Sequence, residues 1–300
     1  MREICRNLHA ASLTEHPESR NGMRATPLET QMTSELLALA TQARVFDLEL
    51  PRHAGMPIAT SHKPGYLYQL HRRHEDTYSP DREGPRSSAS GMLTMMEHTG
   101  THIDAHSHQA DSLTLCGGIH MSPSIETPFG FTRGGAEEIA PIIARGVLLD
   151  VAAQRGVDEL PSGELVRGGD LQICAETQHV EVRRGDVLLV RLGNARNWGD
   201  ETKFLASAGM ARDASLWAAG KGVAAVGADN MAWDPMGHRD PDVGLLPGHL
   251  ELLARRGIYI IENLNLDDLS RERVYEFLFV CLPLKFRGAT GSPVRPIAIV

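Results

Sequence analysis

The feature that most constrains this sequence is a histidine cluster at residues 98–108, which reads HTGTHIDAHSH. It holds four histidines and one aspartate within eleven residues. Imidazole and carboxylate groups together suit Zn²⁺, Mn²⁺, Fe²⁺ or Ni²⁺, and the lack of cysteine in the cluster argues against a closed structural zinc site. We therefore expect an open catalytic metal site, and the fold must bring these side chains together.

The spacing within the histidine cluster favours a bent strand over a helix. A helix would pair His98 with His102, but it would turn Asp104 well around the cylinder, and Gly100 between two threonines is poor helix material. A fully extended strand would separate His98 from His102 by about 13 Å. Because glycine tolerates a bend or a bulge, we predict a bend at Gly100 and, after it, a strand on which His102 and Asp104 reach the same ion.

The last two histidines of the cluster are expected to have different roles. His108 is too remote to be an easy ligand, but it would line the same pocket if the strand turns, and a general acid/base is needed there. His106 is a fourth candidate where three suffice. We interpret His106 as a histidine outside the metal site, since most histidines are simply satisfied by hydrogen bonds.

A second half-site is predicted near Glu262, which interrupts an apolar run at residues 258–264. A carboxylate is costly to bury without a cation, so Glu262 should meet either a bound metal ion or a buried arginine. The preceding segment, residues 247–256, reads as a short helix that Gly257 ends. His249, at the opposite end of this helix and strand unit, could return to the same site.

The composition narrows the class of protein. The chain has 300 residues and a formal net charge of -8, and its lysines and arginines occur singly or in pairs. This pattern disfavours nucleic acid as a partner and favours a small-molecule substrate. No run approaches the roughly eighteen apolar residues that span a bilayer, and the first residues lack the apolar core of a signal peptide. We therefore expect a cytoplasmic protein without membrane contact.

The four cysteines of the chain are expected to be reduced thiols that act mainly as small hydrophobic residues. They lie far apart and form no Cys-x-x-Cys pair, which disfavours both a disulfide framework and thiol catalysis. The four are Cys5, Cys116, Cys174 and Cys281.

The sequence predicts an N-terminal tail, a single domain and a long loop within that domain. Residues 1–42 are predicted to form a polar tail followed by a short helix, whose pattern runs over residues 29–43. Residues 43–300 are predicted to form one domain, which begins with a strand at residues 44–50. Residues 53–90 are rich in Pro, Gly, His, Arg and Tyr without a clear period, and we expect a long loop that acts as a lid or contacts a partner.

The rest of the sequence alternates strand-like and helix-like segments, which indicates an α/β fold with a mixed sheet. We find no internal repeat and no linker that would divide this part into two domains. The predicted strands are residues 147–151, 186–192, 223–227, 258–261 and 277–282. The predicted helices are near residues 136–144, 163–176, 213–220 and 247–256.

The motif H-x-G-T-H-x-D-A-x-x-H, which runs from His98 to His108, resembles the signature of the cyclase family of metal-dependent hydrolases. That family includes bacterial kynurenine formamidase and isatin hydrolase. His249 and the tripeptide at residues 262–264 extend the resemblance, and a weaker similarity runs from Val45 to the C-terminus through residues 146–150 and 226–229. The resemblance implies that His98, His102 and Asp104 bind a first ion. Asp104 would also be able to bridge to a second ion, whose site His249 and Glu262 would complete. His108 would be the catalytic acid/base.

The resemblance also implies an architecture, a cofactor and an assembly. The fold would be a swivelling β/β/α single domain, and the cofactor would be one or two divalent ions, Zn²⁺ or Mn²⁺. The protein would be a homodimer or a homotetramer whose partner segments help to close the pocket. The chain departs from the formamidases, which usually carry proline in place of His106 and are shorter, so residues 53–90 and 109–133 are expected to reshape the pocket. Isatin hydrolase is similar in length, but there we expect an amide in place of Glu262.

The chemistry that this site suits is hydrolysis of an amide, a lactam or a lactone. A bound divalent ion lowers the pKa of its water from near 15.7 towards about 7. His108 would accept the proton released on attack and return it to the leaving group. Two alternatives stay open, a non-catalytic metal-binding or regulatory protein and a structural zinc site. The sequence does not distinguish among the aromatic candidates for the substrate pocket, which are Trp198, Trp233, Tyr66, Tyr68 and Phe129.

Overall fold

One mixed β-sheet of nine strands organises residues 42–300, which are the residues that the computed structural model describes. Residues 1–41, with the predicted tail and most of the predicted helix, lie outside them. In chain order the strands of this sheet are β1 (Val45–Asp47), β2 (His102–Asp104), β3 (Ile142–Asp150), β4 (Val187–Arg191), β5 (Ala225–Ala228), β6 (Tyr259–Glu262), β7 (Glu276–Cys281), β8 (Gly291–Pro293) and β9 (Ile297–Ile299).

The order of the strands places the two predicted half-sites side by side. The sheet runs β1, β9, β7, β3, β4, β5, β6, β2, β8. Strands β3 to β6 pair in parallel, and antiparallel strands extend the sheet on both sides. Because β2 pairs with β6, His102 lies opposite Glu262 in the register. A mixed sheet was predicted, and this prediction is confirmed.

The central strands are apolar along their whole length because both faces of the sheet are covered. Strand β4 shows this, since Leu188 and Val190 pack in the core on one face while Val187 and Leu189 pack in the core on the other. Two longer helices, α1 (Gly168–Thr177) and α2 (Arg212–Lys221), contribute buried side chains to the first of these cores.

Short elements connect these strands and helices. Single turns of 3₁₀-helix lie at Thr60–His62, His106–His108, Ala136–Glu138 and Asn194–Asn197, and a π-helix lies at His249–Ala254. Short α-helices lie at His74–Thr77, Pro80–Glu83, Val151–Gln154, Glu201–Leu205 and Asp267–Arg271. Two-stranded ladders pair Tyr66–Arg72 with Ser90–Met95, Thr114–Leu115 with Ile119–His120, Glu126–Thr127 with Gly130–Phe131, Leu165–Val166 with Gly209–Met210, and Arg239–Asp240 with Gly244–Leu245.

Two sequence predictions on secondary structure are wrong. The helix predicted at residues 136–144 is a single 3₁₀ turn at Ala136–Glu138, and β3 begins at Ile142. Pro141 explains the difference, because proline disfavours the helical conformation in the residue before it and clashes within a helix. Residues 53–90 are not an irregular loop throughout, since Tyr66–Arg72 pairs with Ser90–Met95 in an antiparallel hairpin.

This hairpin, which we call the arm, exposes apolar side chains to solvent. Neither strand of the arm contains a fully buried residue, and the pairing shifts register near Leu70. Its large exposed apolar residues are Leu67, Tyr68, Leu70, Met92 and Leu93. Exposed apolar area of this kind is typical of an interaction surface.

Two further expectations concern cysteines and membranes. Cys116, Cys174 and Cys281 are free, in agreement with the expectation of reduced thiols, and Cys5 lies outside the described residues. Among residues 42–300, we find no helix with both the length and the apolar character required to cross a membrane.

Candidate metal centre

The bend predicted at Gly100 is present. Gly100 has a φ of 69°, in the left-handed region that favours glycine, and a Cβ at this position would lie 3.0 Å from side-chain atoms of Arg52. The Arg52 guanidinium donates hydrogen bonds to the carbonyls of Thr99 and Thr101 on either side of the bend. The turn brings the rings of His98 and His102 to 5.0 Å between centroids, in an edge-on arrangement.

Asp104 lies at the centre of the candidate site and is completely buried. Its Oδ1 is 2.9 Å from His98 Nδ1 and 3.6 Å from His102 Nε2. Its Oδ2 is 3.4 Å from His249 Nε2. Around an ion with bonds of about 2.1 Å, tetrahedral ligand atoms lie about 3.4 Å apart, so these separations suit shared coordination. The two carboxylate oxygens of Asp104 therefore face different histidines, as a bridging ligand would.

Glu262 joins the same cluster from strand β6. Its Oε2 is 3.3 Å from His102 Nε2 and its Oε1 is 3.2 Å from His249 Nε2. The alternative that a buried arginine neutralises Glu262 is not observed, because no arginine of the described residues forms an ion pair with it. His249 is the first residue of the π-helix His249–Ala254, and π-helical turns occur frequently at functional sites.

The hydrogen bonds of His98 and His102 leave one ring nitrogen of each facing the cluster. His102 Nδ1 donates to the Gly100 carbonyl across 2.7 Å, which leaves Nε2 for a ligand. His98 Nε2 lies 2.8 Å from Thr290 Oγ1, and the Thr290 hydroxyl donates to Glu97. Since that hydroxyl proton is used, His98 Nε2 is the donor to Thr290, and Nδ1 is the ring nitrogen that faces the cluster.

Four buried atoms of the cluster have no hydrogen-bond partner, and this observation tests whether the residues fit a metal. They are His98 Nδ1, both carboxylate oxygens of Asp104 and Glu262 Oε1. His98 Nδ1 lies 2.9 Å from Asp104 Oδ1, yet neither atom has a hydrogen-bond partner. Buried polar atoms are normally satisfied, and a cation bound among these four atoms would satisfy them. The residues therefore fit a divalent metal ion.

The electrostatics of the cluster point to the same conclusion. Burial raises the pKa of Asp104, but the neighbouring His108, His249 and His98 outweigh burial and hold this pKa well below its usual value. Burial lowers the pKa of His249, but hydrogen bonds to Asp104, Asp234 and Glu262 raise it well above the ordinary value. The two buried carboxylates thus favour positive charge next to them. A divalent ion would supply that charge without protonation of the histidines.

His108 ends the 3₁₀ turn His106–His108 and lines the pocket beside the cluster. Its ring centroid is 4.0 Å from that of His98 and 5.9 Å from that of His249. Burial lowers the pKa of His108 to about 3, although the Asp104 carboxylate opposes this shift. The ring is therefore neutral at neutral pH and has a nitrogen that can accept a proton.

His106 points away from the cluster. Its ring stacks on Tyr259 with 4.5 Å between centroids and 5° between planes, and its Nε2 donates to the Gly257 carbonyl across 3.2 Å. Among the described residues, the two groups whose ligand atoms converge are His98, Asp104 and His108, and Asp104, His249 and Glu262. His106 belongs to neither group and its ring points away, as expected for a histidine outside the site. His102 is also in neither group, but its Nε2 lies 3.3 Å from Glu262 Oε2.

The sequence analysis missed His62, which lines the pocket above the cluster. The turn Thr60–His62 places its ring 4.9 Å from the ring of His98, in a stacked arrangement. Residues 53–90 show no periodicity, so only the unusual density of histidine in this part of the chain could have indicated His62.

None of the five aromatic candidates lines this pocket. Trp198 and Trp233 are buried in the core, Phe129 is 96% exposed, and Tyr66 and Tyr68 lie in the arm.

Comparisons with known proteins identify the family of this chain. The model of the Cyclase family matches residues 46–235, a range that includes His98, His102, Asp104 and His108. Kynurenine formamidase of Paracidovorax citrulli is 27% identical over 268 residues, which cover 86% of this chain and 98% of that protein. Isatin hydrolase of Roseibium aggregatum is 26% identical over 230 residues, which cover 73% and 78% of the two chains.

A solved structure shares the fold described above. The crystal structure of a novel cyclase superimposes with a TM-score of 0.77 at 28% sequence identity, and it covers 89% of this chain and 92% of that chain. The family match extends over more than half of the sequence, and the similar proteins are named as hydrolases. The chain therefore belongs to the Cyclase family, as the motif predicted, and is a hydrolase.

Proposed function

We propose that this chain is a metal-dependent hydrolase that cleaves an amide, lactam or lactone bond of a small substrate. The observation that carries the proposal is the set of four buried ligand atoms without a hydrogen-bond partner, which lies beside a pocket that His108 also lines. The similar proteins named kynurenine formamidase and isatin hydrolase favour a C–N bond.

The proposed mechanism assigns a role to each residue of the cluster. His98, His102, Asp104, His249 and Glu262 would hold one or two divalent ions, which would supply a water of lowered pKa and polarise the substrate carbonyl. His108 accepts the proton of the attacking water and returns it to the leaving nitrogen or oxygen as the bond breaks. Both Zn²⁺ and Mn²⁺ suit histidine and carboxylate ligands.

A non-catalytic metal-binding protein is the competing proposal. Such a protein would keep the ligands but would have no use for an additional histidine beside them. His108 supplies this extra group, since its ring lies against His98 and lines the pocket. We therefore favour the enzyme.

Assembly and location complete the proposal. We propose a homodimer or homotetramer, supported by the exposed apolar side chains of the arm, and a cytoplasmic location, consistent with free Cys116, Cys174 and Cys281. Light scattering after size exclusion tests the assembly, with Leu67→Ser and Leu93→Ser as arm variants. A monomeric wild-type protein would refute the oligomer.

The decisive experiment combines metal analysis with a substrate screen. The purified protein is analysed for bound metal, then stripped with a chelator and reloaded with Zn²⁺ or Mn²⁺. Hydrolysis is measured on N-formyl aromatic amines, isatin-like lactams and lactones. We expect bound metal and turnover that chelation abolishes, and we expect Asp104→Ala to lose both. An active, metal-free Asp104→Ala variant would refute the mechanism, whereas bound metal without turnover on these carbonyl compounds would favour the binding protein.

A further inference from the structure

The pocket above the metal cluster has an uncharged wall. Apart from the histidines and Glu262 of the site, it is lined by Ala59, Met231, Ala232, Met236 and Leu246, together with Ser61. No lysine or arginine among the described residues lines this pocket. The nearby Arg52 is directed elsewhere, because its guanidinium binds backbone carbonyls and pairs with Glu49.

Within the part of the chain that the structure describes, His62 is the polar ring on this wall to which neither metal binding nor proton transfer has been assigned. Its ring stacks on His98 and lies 6.3 Å from the ring of His108. The residue is half-buried, and its ring forms no hydrogen bond to residues 42–300. Both ring nitrogens are therefore free to bind a ligand in the pocket, one as donor and one as acceptor when the ring is neutral.

We propose that this pocket takes uncharged substrates with an apolar body and that His62 is a substrate-binding residue, which orients the substrate by a hydrogen bond. This inference rests on the proposed hydrolase function and deepens it by naming the substrate class. A charged group placed against the methionines, alanines and leucine of the wall loses its hydration without gaining a partner. A neutral polar group needs only one hydrogen bond, which His62 supplies.

Two matched compounds test the substrate class. N-formyl-p-toluidine and 4-formamidobenzoate have the same scissile amide and nearly the same size, but the first ends in a methyl group and the second in a carboxylate. We expect the wild-type protein to favour the toluidide by at least about tenfold in kcat/KM. Met236→Arg adds a cation to the wall and should reduce this preference. Leu245→Arg adds the same charge at an exposed position that does not line the pocket, and it should leave the preference unchanged.

Binding supplies a readout that does not depend on turnover. Calorimetric titration of both compounds into the His108→Gln variant should show tighter binding of the toluidide. Equal or tighter binding of 4-formamidobenzoate would overturn the substrate class even if hydrolysis is observed. If the toluidide binds but neither compound is hydrolysed by the wild-type protein, the result contradicts the proposed hydrolase function. The same result still supports the proposal that the pocket takes uncharged compounds with an apolar body. If neither compound binds, the inference fails.

Substitution of His62 tests its role. His62→Phe keeps the stacking on His98 but removes the hydrogen bond, so KM for the toluidide should rise about tenfold while kcat changes little. His62→Gln retains a hydrogen-bonding group and should recover part of the loss. His120→Phe, on a surface hairpin, is the matched control and should have no effect. An unchanged KM in His62→Phe, or a loss of bound metal from it, would overturn the assignment.

Discussion

His249 donates from Nδ1 to the carboxylate of Asp234 across 2.8 Å, and both side chains are buried. The backbone amides of Gly248 and His249 donate to the same carboxylate. Asp234 therefore fixes the orientation of the His249 ring and leaves Nε2 directed at Asp104 and Glu262. Carboxylates in this position raise the basicity of a ligating histidine and hold its tautomer.

Asp234→Asn should weaken metal binding about 10- to 100-fold, because the amide keeps the shape of the carboxylate but loses its charge. Metal affinity is measured by competition with a chelator of known affinity. Asp242→Asn removes a carboxylate that is 74% exposed and serves as the control. Equal metal affinity in Asp234→Asn and the wild-type protein would show that His249 is not a ligand or does not need this partner.

His108→Gln should retain metal and lose about 10²- to 10⁴-fold in kcat, because it removes proton transfer without removing a predicted ligand. Metal content and turnover are measured on the same preparation. His106→Gln changes a histidine of the same turn that points away from the pocket, so its kcat should stay near the wild-type value. Loss of metal from His108→Gln would make His108 a ligand, which its proximity to His98 and Asp104 also permits.

The sequence predicted the local part of the site better than the long-range part. The bend at Gly100 follows from a few neighbouring residues and their backbone preferences, whereas His106 is set aside only because three other ligands suffice. The convergence of His102 with Glu262 depends on the pairing of β2 with β6, which are separated by about half of the chain. Spacing alone cannot set such a pairing, and the family resemblance supplied it.

The errors have equally specific causes. Residues 136–144 have helix-forming alanines and glutamates, but Pro141 decides against a helix. His62 lies in a turn whose neighbouring residues show no hydrophobic periodicity. No sequence pattern therefore predicts that its ring contacts that of His98, some thirty-six residues later. Its position depends on tertiary contacts that local propensities do not contain.

Gly100→Ala should lower the free energy of unfolding by more than the left-handed backbone conformation alone would. A positive φ destabilises alanine by about 1–2 kcal/mol, and at position 100 its Cβ would also crowd Arg52. Gly55→Ala is the matched control, since Gly55 has a φ of 89° but no heavy atom within 4 Å of the added Cβ. Chemical denaturation and metal content are measured for both variants. Only Gly100→Ala should lose metal, and equal behaviour of the two would argue against a role of the bend in forming the site.

His106 should make the stability of the protein depend on pH. Burial against Tyr259 lowers its pKa from 6.5, although the hydrogen bond to Gly257 opposes the shift. In the unfolded chain the ring takes up a proton below pH 6.5, whereas in the folded protein it stays neutral to a lower pH. The unfolded state therefore binds more protons in this interval, and stability is lost as pH falls below 6.5.

The test compares unfolding free energies of the wild-type protein and His106→Gln between about pH 7 and pH 5. The variant cannot titrate at this position, so it should lose less stability over the interval, whatever its stability at neutral pH. Other buried histidines contribute equally to both proteins, and the difference in slope isolates His106. His120→Gln, at an exposed histidine, should follow the wild-type curve. Parallel curves for His106→Gln and the wild-type protein would mean that His106 is not held neutral in the folded state.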